Sequence, residues 1–262
     1  MGDVVRALMI GDVIGEPGLK ALFAGLGELV RRLKVDIVVA NGENAAAGFG
    51  ITEEECKRLL ALGVHVITSG NHVWEKKGAA ELLDAQPRLL RPANYPEGAP
   101  GRGLTLVETN GATFAVLNLQ GREGLYPIDC PFRRADKALA EIVEKAPGAL
   151  VLVDVHAESN EEKEALGLYL DGRVSALAGT HTHVQTADER VLPKGTGYIT
   201  DLGMTGPDDS VIGVKGEICL KRSLTQMPIK METAEGSASI HGALFTIDAA
   251  TGTCLSVERV SD

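Results

Sequence analysis

The sequence predicts an α/β fold built on parallel strands, and three observations support it. Apolar runs of strand length, VVRALMIG (4–11), VDIVVA (35–40) and VHVITS (64–69), alternate with stretches whose apolar residues recur at helical spacing. Those runs are apolar at nearly every position, as expected of strands covered on both faces. Helix-start and helix-stop residues stand between them.

Each element can be justified in chain order. After the first strand, Pro17 suits the first turn of a helix over 17–34, with Leu19, Leu22, Phe23, Leu26, Leu29, Val30 and Leu33 as its apolar stripe. The second strand leads into a glycine-rich loop, NGENAAAGFG (41–50). Thr52 with Glu55 forms a capping box for a helix over 52–62, which Gly63 stops before the third strand. The segment 92–103, PANYPEGAPGRG, reads as an ordered surface loop, because strand-like runs resume at 104–108 and 112–120. A helix over 133–145 precedes the strand ALVLVDV (149–155), and another over 161–170, with Asn160 as its cap, precedes VSALAG (174–179). The tail differs in character. It holds GYITDLG (197–203), a glycine-rich loop over 203–216 and two runs, 242–248 and 253–260, that read as an antiparallel hairpin around Thr251 and Gly252. There is no internal repeat, and residues 1–262 are expected to form a single domain.

Composition narrows the class. With 262 residues, 44% of them hydrophobic, the chain can bury a sizeable core. No apolar stretch approaches the roughly 20 residues that span a bilayer, and Asp3, Arg6 and Asp12 occupy the place of a secretory apolar run. A cytoplasmic protein without a membrane partner is the expectation. Cys56, Cys130, Cys219 and Cys254 are widely spaced and read as reduced, structural thiols. A net charge of −10 argues against non-specific nucleic-acid binding, although a local positive centre could still draw in a small anion.

The stretch GTHTHVQ (179–185) places His181 and His183 one residue apart at the end of a strand. Successive strand side chains point to opposite faces, so the two imidazoles converge only if the chain bends. Other strand ends carry comparable residues: Asp12 after the first, Glu43 and Asn44 after the second, Asn71 and His72 after the third, and His156 at the end of 149–155. Singly, each is ordinarily a turn, cap or core residue. Together, at the carboxyl ends of five strands, they fall on the one edge where open α/β sheets bind ligands. His65 lies at the start of its strand and His241 before the terminal hairpin, so both are assigned to structure.

Two carboxylates, three imidazoles and an amide oxygen suit Mn, Fe or Zn better than Ca or Mg, which prefer all-oxygen shells. Six ligands exceed the need of one tetrahedral ion, and a bridging carboxylate holding two ions would use them all.

Taken in order, Asp12, GEN (42–44), GNH (70–72), His156 and GTHTH (179–183) resemble the blocks of the calcineurin-like metallophosphoesterases. The phrases GDVIGEPG (11–18), NGENAAAGFG (41–50), SGNHVWE (69–75) and TDLGMTGPDDSVIG (200–213) resemble the bacterial YmdB-like branch and extend the likeness over nearly the whole chain. The resemblance implies a four-layer α/β/β/α sandwich with a two-metal site, and a phosphodiesterase acting on 2′,3′-cyclic nucleotides at the 2′ bond or on related RNA-derived phosphoesters. It implies that Asp12, Glu43 and His183 hold one ion, that Glu43, Asn71, His156 and His181 hold the other, and that His72 is the catalytic histidine. The expected chemistry is attack by a water shared between two ions, Fe or Mn, with Zn as a third candidate, and proton donation by His72 to the leaving alkoxide.

The chain departs from the wider superfamily in three places. Asp12-Val13-Ile14 stands where Asp-x-His is usual, Glu43 where an aspartate bridges, and Val73 where an acid follows Gly-Asn-His. Asn44 is the candidate to approach the ion that lacks a histidine, or the substrate phosphate.

Rival readings are weaker. A metal amidohydrolase places its His-x-His after the first strand, not late in the chain. Gly11, Gly15 and Gly18 match no nucleotide fingerprint. A regulatory protein that binds a nucleotide or partner with little turnover would use the same pocket without needing His72. Residues 203–216 suit a lid or a subunit contact, and the sequence leaves a homo-oligomer open.

Overall fold

The computed structural model describes residues 4–262. The first part of the chain comprises β1 (Val4–Ile10), β2 (Asp12–Val13), α1 (Gly15–Leu33), β3 (Ile37–Asn41), α2 (Glu53–Ala61), β4 (Val66–Thr68) and α3 (Ala79–Ala85). The middle comprises β5 (Leu104–Thr109), β6 (Ala112–Gln120), α4 (Pro131–Lys145), β7 (Leu150–His156), α5 (Asn160–Leu170) and β8 (Ala176–Thr180). There follow β9 (Arg190–Val191), β10 (Gly197–Ile199), β11 (Met204–Pro207), α6 (Gly216–Thr225), β12 (Ala238–Ser239), β13 (His241–Asp248) and β14 (Cys254–Ser261).

The expected parallel strands are present and divide between two mixed sheets, as a four-layer sandwich requires, while β12, β11 and β2 form a small third sheet. The first sheet has the order β14-β13-β1-β3-β4, with β1, β3 and β4 parallel and the terminal hairpin antiparallel beside them. The second has the order β5-β6-β7-β8-β10-β9, parallel at its centre and closed by antiparallel edge strands.

Side-chain alternation explains why two sheets form. In β1, Leu8 and Ile10 pack with Leu19, Leu22, Leu26 and Leu29 of α1, whereas Ala7 and Met9 turn the other way. In β7, Val151, Val153 and Val155 face Ala135, Ala138 and Ile142 of α4, whereas Leu150 and Leu152 join Ala7 and Met9 in a shared layer. Each sheet thus buries one face against helices and the other against its partner sheet, giving the α/β/β/α order.

Along the inward series the residue type changes near the carboxyl ends. After Ile37 and Val39 comes Asn41; after Phe114 and Val116 come Asn118 and Gln120; after Leu150 and Leu152 come Asp154 and His156; after Ala176 and Ala178 comes Thr180. The apolar layer between the sheets therefore becomes polar at one edge.

Local details mostly follow the sequence. The Thr52–Glu55 capping box forms at α2, but Ser159, not Asn160, caps α5, its side chain accepting from the Glu162 N–H at 3.1 Å. Phe23, expected in the α1 stripe, is 78% exposed. The loop expected over 203–216 contains β11, which pairs in parallel with β2 so that Met204 lies opposite Asp12. His65 is structural, its Nδ1 accepting from the Val38 N–H at 3.1 Å. The four cysteines are free, and no helix among the described residues is long and apolar enough to cross a membrane.

Candidate metal centre

The two sheets bring all the sequence-selected residues to the polar edge. Gly11 separates β1 from β2 and puts Asp12 at that edge, fully buried. Glu43 and Asn44 leave β3, where the Glu43 N–H donates to Asn41 Oδ1 at 3.1 Å. Asn71 and His72 follow β4, His156 ends β7, and His181 and His183 follow β8. The bend that the His-x-His pair required is present: both histidines have positive φ, 102° and 65°.

Glu43, His156 and His181 each offer a ligand atom, and these atoms lie within 4.8 Å of one another. His156 Nε2 is 2.9 Å from Glu43 Oε1, 3.0 Å from Asn71 Oδ1 and 3.0 Å from His181 Nδ1. One ring nitrogen carries at most one hydrogen, so it can bond to only one of these three acceptors. A cation among the four atoms would satisfy them together.

The outer contacts of the three imidazoles fix which nitrogen faces inward. His183 Nδ1 lies 2.8 Å from the Ile212 carbonyl, which can only accept, so Nε2 presents its lone pair towards Asp12 Oδ1 at 4.0 Å. His181 Nε2 lies 2.9 Å from Glu158 Oε2, which leaves Nδ1 facing His156. His156 Nδ1 is 3.0 Å from Thr180 Oγ1, whose own hydrogen goes to Asp154 Oδ1 at 2.7 Å, and Nε2 is again the inward nitrogen. Asp12 Oδ1 and Asn44 Oδ1 are buried with no hydrogen-bond partner, although Asn44 Nδ2 donates to the Gly48 carbonyl at 2.8 Å and so sets the amide's orientation. Partnerless buried oxygens beside inward lone pairs are the chemistry of a cation site.

Without a cation, the same groups hold a proton on His156 in its place. Burial lifts Asp12 from its ordinary 3.8 to about 6, despite the nearby His183 and His156. Burial also opposes ionisation of Glu43, but the positive His156 and its hydrogen bond outweigh it and bring Glu43 down to about 2. Burial disfavours a charged His156 as well, yet Glu43, Asp12 and Asp154 raise it to about 9. Burial and the charge on His156 push His181 down to about 4.

His72 stands at the rim. Its N–H donates to Glu43 Oε2 at 3.2 Å, and Phe49 meets its ring edge-on at 5.0 Å. Its Nδ1 is buried, without a hydrogen bond and 3.5 Å from Glu75 Oε1, which leaves Nε2 as the nitrogen available to the cleft. That cleft, about 310 Å³, is floored by Glu43, Asn44, His72, His181 and His183 and walled by Phe49, Ile14, Ile212 and Met231. Residues 212–214 therefore form part of the site's wall.

Several supporting residues were not anticipated from the sequence. Asp154, fully buried, accepts from Asn41 Nδ2 at 3.1 Å and also from Thr68 Oγ1, tying β3 and β4 of one sheet to β7 of the other beneath the centre. The signal was available, since Asp154 and His156 share one parity of an otherwise apolar strand. Glu158, which fixes His181, gave no such signal.

Known proteins resemble this chain over nearly its whole length. The family described as YmdB-like protein matches residues 8–260. A 2′,3′-cyclic-nucleotide 2′-phosphodiesterase of Bacillus subtilis (strain 168) is 47% identical over 256 residues, covering 98% of this chain and 96% of its own. A crystal structure of a phosphatase from Mycoplasma pneumoniae superposes with a TM-score of 0.93 at 31% identity, over 100% of this chain and 94% of that one. A Thermus thermophilus protein described as hypothetical superposes with a TM-score of 0.91 at 41% identity, over 98% of this chain and 99% of the other.

Proposed function

Because the chain belongs to the YmdB-like family of phosphoester hydrolases, we propose that it is a metal-dependent phosphodiesterase that opens 2′,3′-cyclic nucleotides, or related RNA-derived phosphoesters, at the 2′ bond. The observation that carries this reading is the convergence of Glu43 Oε1, Asn71 Oδ1 and His181 Nδ1 on His156 Nε2, beside the partnerless Asp12 Oδ1.

Glu43, Asn71, His156 and His181 would hold one cation, and Asp12, Glu43 and His183 the other, with Asn44 Oδ1 turned towards that ion or the substrate phosphate. The mixed oxygen and nitrogen set suits Fe or Mn, with Zn also compatible. When bound, two such cations supply charge for the phosphoryl oxygens and acidify a water for attack at neutral pH.

The protein's own groups do the rest. Asp12 and Glu43 offset only part of the charge of two divalent ions, so the centre stays attractive to a phosphate anion within a negatively charged protein. His72 lines the cleft with Phe49 edge-on to its ring, and in this reading its Nε2 would give a proton to the 2′ oxygen as the P–O2′ bond breaks. Water adds to phosphorus, and the product is the 3′-phosphate.

The test is to strip the protein with chelator, confirm metal loss, and assay 2′,3′-cyclic AMP before and after adding Mn²⁺. Turnover lost on stripping and restored by Mn²⁺ supports the reading. Turnover indifferent to chelation overturns it.

A further inference from the structure

We propose that the buried ion pair Lys163–Asp201, which lines no part of the cleft, is the positioning device that holds His181 and His183 in ligand geometry. The inference rests on the two-cation reading. Lys163 and Asp201 are both fully buried, with Nζ 2.7 Å from Oδ2. That same Oδ2 accepts the N–H of Thr182, the residue between the two histidines, at 3.1 Å, and Oδ1 accepts the N–H of Gly203 at 2.9 Å. Gly203 leads into β11, which pairs with β2 at Asp12.

One carboxylate therefore ties the His-x-His turn to the segment that carries the wall of the site and lies against Asp12. The turn needs such a tie, because His181 and His183 both hold positive φ, which residues with a Cβ rarely adopt unaided. Position 179 is glycine, and a Cβ there would come within 1.8 Å of the Thr200 carbonyl oxygen and 2.8 Å of Lys163 Cδ, so the lysine stem runs through space that a side chain would take. Burying two charges is costly unless a specific geometry is gained, and here the geometry gained is that of two metal ligands.

The experiment compares Mn²⁺ affinity by calorimetric titration, and the visible spectrum of the Co²⁺-loaded protein, in wild type, Asp201→Asn and the doubly neutral Lys163→Met/Asp201→Asn. An asparagine offers one acceptor oxygen, so it can hold the Thr182 or the Gly203 N–H but not both. We expect Mn²⁺ binding to weaken by about 10- to 100-fold and the Co²⁺ spectrum to change while far-ultraviolet dichroism stays that of a folded chain. Wild-type affinity and spectrum in a folded variant overturn the proposal, and if Asp201→Asn does not fold, the double variant decides on the same criteria. A wild-type protein that binds no Mn²⁺ overturns the two-cation reading and this inference with it.

Discussion

Glu43 Oε1 and His156 Nε2 stand 2.9 Å apart, although Glu43 follows a strand of the five-stranded sheet and His156 ends a strand of the six-stranded one. The contact closes the polar edge between the sheets. If Glu43 serves both cations as proposed, Glu43→Gln should weaken both, and elemental analysis after dialysis should show less than half the wild-type metal. Wild-type metal content would remove Glu43 from the bridging role.

His72 makes the opposite prediction. It contributes only its main-chain N–H to the Glu43 carboxylate, and its ring faces the cleft. His72→Ala should keep both metals and lose about 10²- to 10⁴-fold in turnover, the usual worth of a positioned acid. A variant with full metal and unchanged turnover would exclude proton donation by His72.

Gly70 tests the packing under His156. A Cβ at position 70 would lie 2.0 Å from His156 Cδ2, so Gly70→Ala must displace the imidazole. The expected result is a folded protein with impaired Mn²⁺ binding, read by titration and dichroism together. Undiminished affinity would mean that His156 is not a ligand.

The metal-free centre should be proton-linked. His156 is raised from 6.5 to about 9, so it stabilises the metal-free fold fully below pH 6.5 and loses that contribution as pH rises through about 9. Glu43, lowered from 4.5 to about 2, contributes above 4.5 and loses it as pH falls through about 2. Near neutral pH, His156 must then give up a proton to bind a cation, and about one proton should be released per protein on Mn²⁺ addition. Titration in buffers of different ionisation enthalpy measures this, and identical apparent enthalpies would contradict it.

Much of this was legible in the sequence, because strand ends are marked by residue chemistry. Asp12, Glu43, Asn71, His156, His181 and His183 each follow or end an apolar run, and a shared sheet edge was enough to gather them. The division into two sheets was not legible from periodicity: a strand buried between a helix layer and a second sheet is as apolar on both faces as one between two helix layers, as β1 and β7 show. Nor was β11, whose Met204–Pro207 is held by register with β2 across the chain rather than by its own propensity. Lys163 and Asp201 stayed hidden for a related reason, since each is an ordinary surface residue type until tertiary contact buries it.

In the proposed reaction the chain cleaves the 2′ bond, with His72 supplying the proton. The most direct measurement is chromatographic identification of the product formed from 2′,3′-cyclic AMP by the Mn²⁺-loaded protein, run beside metal-matched His72→Ala. Release of 3′-AMP by the wild type, with little from the variant, is the predicted result. Release of 2′-AMP, or no nucleotide product from a fully metal-loaded protein, would contradict it.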